Sequence, residues 1–316
     1  MIGVAQGVLA TCAWALGSVL TKHSLGALPP GRLLLVELAV SNVFLWTCAV
    51  ATRATLPPAG RLMRLALPGV LQPGFAYGLS FVGLQWTTVS SETLIWSAES
   101  IVMLPFAAIY LNSRFSRAFV ALASTGFGGV VLTTFSPASG AQGTASTLSG
   151  NGLIWLAVIS ACMYSVYAER QLAETDTLPL LALHQLTGLV VALVFTELSP
   201  VVAGRVARAP AADVGAAVTA GLTLFAIPFW LYLNAIRHLG SGRAAQLLTL
   251  VPVFTIVLAR YFLGERLTAL QVVGGLIVVA ALLGMGCLQI RDQTRSAKSC
   301  AHFPREAVPP ETSGTT

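Results

Sequence analysis

Residues 268–288 read TALQVVGGLIVVAALLGMGCL, twenty-one positions without one charged side chain. A helix needs about 20 mostly apolar residues to cross the hydrocarbon core of a bilayer, so this stretch predicts a membrane span. The pattern recurs along the chain. Apolar runs cover roughly 2–21, 32–51, 64–84, 88–111, 116–135, 150–168, 179–198, 214–236 and 244–263. Together they predict an all-α polytopic membrane protein with ten transmembrane helices. Turn signals such as Leu28-Pro29-Pro30-Gly31 and Leu56-Pro57-Pro58 fill the breaks.

Composition agrees. Only 30 of 316 residues are charged, 18 Lys or Arg and 12 Asp or Glu. That is 9%, against about 25% in soluble domains. Hydrophobic residues make up 55% and mean hydropathy is +0.79. These figures exclude a disordered chain and weigh against a water-soluble enzyme. The net charge of +6 comes from scattered arginines that form no basic face, so no nucleic-acid partner is expected. The five cysteines (Cys12, Cys48, Cys162, Cys287, Cys300) make no CxxC pair. They read as small core residues, with no disulfide framework, metal site or cofactor.

The N-terminus lacks a basic n-region, and its first basic residue, Lys22, follows the apolar run. It reads as the first membrane helix and not as a cleaved signal. With that end in the cytoplasm, twelve Lys or Arg fall on the cytoplasmic side and six on the other. The bias places both termini inside. Abundant arginine and alanine, with only two lysines, look bacterial and GC-rich, so the expected home is the inner (plasma) membrane. The polar stretch from 289 to 316 reads as a disordered cytoplasmic tail.

The uncharged Ser/Gly/Thr/Ala-rich loop at 136–149 divides the chain into two halves, 1–135 and 150–288. A shift of 148 residues lays Lys22 on Arg170, and Leu33, Leu35, Leu38 and Val43 on identical residues. A shift of 152 lays Ala107, Leu111, Arg114 and Val120 on Ala259, Leu263, Arg266 and Val272. Each half has five helices, an odd number, so the halves sit in the membrane with opposite orientation. Inverted repeats of this kind are a transporter architecture.

The end of the ninth helix carries the clearest motif: Leu250-Val251-Pro252-Val253-Phe254, then Tyr261-Phe262-Leu263-Gly264-Glu265-Arg266, continued by Gln271-Val272-Val273-Gly274-Gly275. Near the N-terminus stand Ala13-Trp14-Ala15-Leu16-Gly17-Ser18 and Lys22. With these residues the chain resembles the drug/metabolite transporter superfamily, specifically its ten-helix EamA-type permeases, over about residues 3–288. The first half departs from the pattern. Ser97-Ala98-Glu99-Ser100 stands at the usual Glu-Pro pair, and Asn112-Ser113-Arg114 replaces Gly-Glu-Arg. The resemblance implies two five-helix bundles around a central polar cavity. Helices 1, 3, 4, 6, 8 and 9 would line it, and helices 5 and 10 would be peripheral.

Ionisable groups inside membrane helices carry the most information. Glu99 falls about halfway along the fourth predicted helix. Glu92, Trp96 and Glu99 are spaced i, i+4, i+7 and share one face. Two acids and an indole suit a cationic or zwitterionic solute, or proton coupling, and Trp96 could stack on a cationic group. For Glu92 the alternative is snorkelling to the headgroups. The second half has Ala244, Leu248 and Val251 at these positions, so the acidic face is one-sided. Glu37, near Arg32 and Lys22, reads as part of a structural ion pair. His184 would serve as a proton carrier, or is simply hydrogen-bonded. Gln72-Pro73-Gly74 and Pro228 interrupt helices 3 and 8, where broken helices mark binding sites or ordinary kinks. Gln72, Trp230 and Asn234 are therefore further solute-binding candidates, joined by Trp14, Tyr164 and Gln246 on helices 1, 6 and 9.

These features predict a secondary transporter of a small organic metabolite, such as an amino acid or amine, working by alternating access with possible coupling to protons. The expected partners are that solute and the lipid bilayer, and a homodimer is left open. The alternatives are a non-transporting receptor or scaffold, and an intramembrane enzyme. No HExxH or GxSxG motif supports the enzyme, and no Walker A loop supports ATP-driven transport.

Overall fold

The computed structural model describes residues 2–99, 101–102, 105, 115–135, 147–172, 174–198, 210–239, 247–248 and 250–301. The helices are α1 (Ile2–Ser24), α2 (Pro30–Ala51), α3 (Ala59–Leu84), α4 (Val89–Trp96), α5 (Arg117–Thr134), α6 (Leu148–Leu172), α7 (Thr177–Leu198), α8 (211–239), α9 (Leu250–Phe262) and α10 (Ala269–Ala301). Eight of them are long and apolar enough to cross a membrane, and α9 is a shorter apolar helix. The fold is thus the expected all-α polytopic bundle. The predicted start of helix 9 and end of helix 4 lie outside the described residues.

Local chemistry sets the ends. Pro30 opens α2 at a position where its missing N–H costs nothing. Thr88 and Ser116 cap α4 and α5 by accepting from Ser91 N and Phe119 N. Thr268 and Gln271 form a reciprocal capping box at α10. The stretch after Gln289, expected to be disordered, continues α10 as helix to Ala301. It contains no glycine or proline before Pro304, and extending a formed helix costs little.

Both long interrupted helices break at related places. In α3 a 3-10 turn (Leu67–Val70) precedes a π turn (Leu71–Phe75), and Gln72 leaves the helical region at φ −146°, ψ 124° before a cis bond to Pro73. In α8 a π turn (Gly221–Ala226) immediately precedes Ile227 and Pro228. π turns absorb the hydrogen bond that a proline cannot donate. Thr219 and Thr223 hydroxyls return to the carbonyls of Gly215 and Thr219 nearby.

The packing maps onto itself when each helix is exchanged for the one five later. α1 packs on α8 and α9, as α6 packs on α3 and α4. α2 packs on α7, and α5 on α10. This is the inverted repeat, with one difference from two separate five-helix bundles: the first helix of each half lies against the third and fourth of the other. α5 and α10 pack mainly on each other. There Gly129 and Gly274 face across the seam, and a Cβ on either would stand 2.6–2.7 Å from the other's carbonyl oxygen. We expect Gly274→Ala to cost about 1–3 kcal/mol of stability through overpacking. Gly128→Ala, which meets nothing within 4 Å, should be neutral. Thermal unfolding of both purified variants in detergent checks this.

Candidate functional site

Glu99 follows α4 and is half-buried. Its Oε1 accepts from Ser165 Oγ of α6 at 3.3 Å. Tyr77 of α3, Tyr164 of α6 and Tyr232 of α8 all lie within electrostatic reach of its carboxylate. Each tyrosine is half-buried, as is Trp14 of α1, whose ring meets Tyr232 at 5.7 Å and Phe229 at 5.2 Å. One acid thus has tyrosines from α3, α6 and α8, drawn from both halves, within electrostatic reach, and Trp14 of α1 packs on one of them.

A polar chain leads away from this cluster. Gln72 hydrogen-bonds the Tyr77 side chain. Tyr77 stacks on Trp96, with ring centroids 5.7 Å apart and planes at 28°. Trp96 Nε1 donates to Ser80 Oγ at 3.1 Å, and Ser80 Oγ donates to Glu92 Oε1 at 2.5 Å. Glu92 is 8% exposed, so it is enclosed and does not snorkel. The single helix face expected for Glu92, Trp96 and Glu99 is interrupted: α4 ends at Trp96 and a turn at Ser97 and Ala98 precedes Glu99, so the two acids meet different surroundings. Glu99 lies near the three tyrosines, and Glu92 near Lys22 and Glu265.

That end is built from a motif whose role the sequence did not disclose. Gly264 adopts φ 64°, a left-handed conformation that suits glycine, and ends α9. Glu265 follows, 5% exposed. Its carboxylate accepts from Val89 N at 2.8 Å, Ser90 N at 2.9 Å and Ser90 Oγ at 2.6 Å, which are donors of the first turn of α4. Gln271 of α10 adds a bond from Nε2 to Ser91 Oγ at 2.9 Å. Opposite, Lys22 donates to Leu84 O at 2.5 Å and Thr87 O at 2.8 Å, the carbonyls freed where α3 ends. Lys22 also interacts electrostatically with Glu265 and Glu92. Val19, Leu84, Val89, Ala259 and Leu263 fill the space between.

Other candidates fall elsewhere. His184 is 1% exposed with both ring nitrogens engaged. Nε2–H faces Leu65 O at 2.8 Å and Gln171 Oε1 at 3.0 Å, while Nδ1 accepts the Tyr164 hydroxyl at 3.0 Å. Trp230 is 46% exposed, and Asn234 donates back to Trp230 O at 3.0 Å. Tyr232 is the α8 residue that reaches Glu99, because residues two apart on a helix point to nearly opposite faces. Gln246 lies outside the described residues. The ion pair expected for Glu37 is replaced by a hydrogen bond from Thr21 Oγ1 at 2.9 Å, since Lys22 is taken by the two carbonyls. A surface groove of about 510 Å3 between the α2–α3 and α6–α7 connections, lined by Arg61, Glu174 and Asp176 among others, contains none of the site residues.

Eight helices long and apolar enough to cross a membrane, packed as an inverted repeat, define a class: polytopic membrane proteins. The chain belongs to the EamA-like transporter family, whose model matches residues 1–135 and 148–287. It is 22% identical over 269 residues to the uncharacterized transporter YdfC of Bacillus subtilis, covering 85% of this chain and 86% of that one. It is 26% identical over 290 residues to a protein of Streptantibioticus cattleyicolor named a probable terminal-alkyne amino-acid exporter, covering 87% and 90%. An uncharacterized transporter of Archaeoglobus fulgidus is 24% identical over 281 residues. One solved crystal structure shares the fold at TM-score 0.63 and 18% identity, over 91% of this chain and 99% of its own. The protein is therefore a multi-pass membrane transporter.

Removing the Ser80 hydroxyl takes a hydrogen-bond partner from both Trp96 Nε1 and Glu92, leaving them to each other. We expect Ser80→Ala to lower stability by about 1–3 kcal/mol, read as a fall in the thermal midpoint. Replacement of the exposed Thr125 hydroxyl by alanine should leave the midpoint in place.

Proposed function

We propose that this protein is a secondary transporter that carries a small organic solute bearing an amino group by alternating access between its two halves. The observation that carries this reading is Glu99 within electrostatic reach of Tyr77, Tyr164 and Tyr232, the last of which packs on Trp14. A carboxylate supplies the charge partner for an ammonium group, and tyrosine and tryptophan faces attract the same cation. The name of the Streptantibioticus relative, a probable exporter of an amino acid, supports a solute of this size and charge. The twelve-to-six distribution of basic residues supports both termini in the cytoplasm and an inner-membrane setting. The halves 1–135 and 150–288 act as the two moving repeats, joined by 136–149.

In this reading Glu99 exchanges the solute's ammonium for a proton, which links transport to a pH gradient. Trp96 and Tyr77 form one aromatic wall and Trp14 with Tyr232 the other. Gln72, at the break in α3, orients Tyr77. His184 positions Tyr164 and does not carry the coupled proton, because its two ring nitrogens are already used.

The test is uptake of labelled amines and amino acids into proteoliposomes, with and without an imposed pH gradient. We expect saturable movement that follows the gradient, and a loss of about tenfold or more in kcat/KM in Glu99→Gln, the size of one charge-assisted hydrogen bond. Unchanged uptake and unchanged pH dependence in Glu99→Gln would remove Glu99 from both roles.

A further inference from the structure

The Gly-Glu-Arg turn after α9 lies outside the candidate solute site, yet its Glu265 accepts three hydrogen bonds across the two halves. Glu265 belongs to the second half, and the three donors it accepts from belong to α4 of the first. α4 carries Glu92 and Trp96 and leads into Glu99, the acids and indole of the site. Any motion that opens this end of the cavity must draw the α9–α10 turn away from α4 and break these bonds.

We propose that Glu265, seconded by Lys22, is the latch that holds this end of the carrier closed, and that the solute site acts on it through Ser80. Three features of the structure support this latch. The carboxylate is 5% exposed and spans the two halves, so its bonds are lost on opening and regained on closing. Lys22 sits on the first helix, ties down the α3–α4 turn, and interacts with both Glu265 and Glu92, so one ammonium group senses the latch and the inner acid together. Ser80 receives the Trp96 indole hydrogen and donates to Glu92. A solute that moves Trp96 therefore moves Glu92, and with it the charge balance around Lys22.

The opposite end lacks the matching carboxylate in sequence. The shift of 152 residues places Ser113 at the position of Glu265, and the shift of 148 places Arg170 at that of Lys22. A serine hydroxyl cannot give an α-helix N-terminus the charged acceptor that glutamate gives. By sequence, the charged acceptor is thus present at one end and unmatched at the other. The resting population has its cavity closed at the Glu265 end and accessible from the other, and Glu265 sets that bias as a positioning residue with no contact to solute. The inference rests on alternating access as proposed above.

Its test is sidedness, which a merely structural role would not move. In full-length protein with the five native cysteines replaced by alanine, a reporter cysteine is placed at Ser165 beside Glu99. A second protein carries it at the exposed Arg266, to identify which face of the vesicle bears the latch. Both are reconstituted and exposed to a membrane-impermeant maleimide from each side in turn. We expect the Ser165 reporter to react from the face opposite Arg266. In Glu265→Gln its reaction from the Arg266 face should rise on the order of tenfold, the weight of one charge-assisted bond. Ser90→Ala removes only one of the three bonds and should give a rise of about threefold. Unchanged sidedness in a monodisperse Glu265→Gln protein overturns the latch, whatever happens to uptake. If Glu265→Gln does not fold, Ser90→Ala decides by the same criterion. Shifted sidedness in a protein that moves no amine or amino acid keeps the latch and removes the solute assignment.

Discussion

Water is absent from the bilayer core, so every backbone group freed at a helix end there must find a partner within the protein. The same need arises wherever protein shuts water out of a helix end, as at the buried turn where α3 stops and α4 starts. The break leaves carbonyls on one side and N–H groups on the other. Lys22 takes the carbonyls of Leu84 and Thr87, and Glu265 takes the N–H groups of Val89 and Ser90. Both charges come from neighbouring elements and match the sign of the helix end they meet. Local capping by Thr88 satisfies Ser91 N, but it cannot serve the two donors before it. Without these partners the two ends would leave buried carbonyl and N–H groups unsatisfied where protein shuts out water.

Close helix approach follows from the same need. The interrupted region of α3 rests on α7 with little room. A Cβ on Gly69 would stand 2.2 Å from His184 O, and one on Gly188 2.3 Å from Pro73 Cγ. In lipid, packing of this closeness replaces the hydrophobic drive that holds soluble helices together. It also brings His184 under Tyr164 and so positions one of the tyrosines within reach of Glu99.

The fold was legible because lipid imposes a simple rule on sequence. Ten apolar runs, a central uncharged loop and an odd helix count per half led to the inverted repeat without knowledge of any contact. The exchange of first helices between halves was not legible, since hydropathy records depth and not neighbours. The site was legible in part. Depth singled out Glu99, and helical spacing joined Glu92 to Trp96. Trp230 and Asn234 were chosen for proximity in sequence to Pro228, while the face of α8 that turns inward belongs to Tyr232. Tyr77 and Ser80 share a helix face, but nothing in their spacing says that Trp96 and Glu92 meet them from another helix. The partners of Lys22 and Glu265 lie tens to nearly two hundred residues away, so only the folded chain connects them. Glu37 shows the limit most plainly, because the nearest cations in sequence were the wrong partners once Lys22 had two carbonyls to serve.

A symmetric scaffold with asymmetric chemistry has a physical consequence. Two repeats with identical contacts at both ends would give inward- and outward-facing states of equal energy. Differences between matched residues therefore set the populations, at about 1.4 kcal/mol for each factor of ten. In this chain the differences gather on one path: Glu92 and Glu99 against Ala244 and Val251, Lys22 against Arg170, Glu265 against Ser113. In the proposed mechanism, the acids that suit a solute and the charges of the latch lie on the same helix, α4, or next to it. A ligand shifts a conformational equilibrium only by its difference in affinity for the two states. Placing recognition and closure on one element is the most direct way to make that difference large. Conserving the backbone twofold while confining charge to one side lets the halves exchange roles geometrically without becoming equivalent energetically.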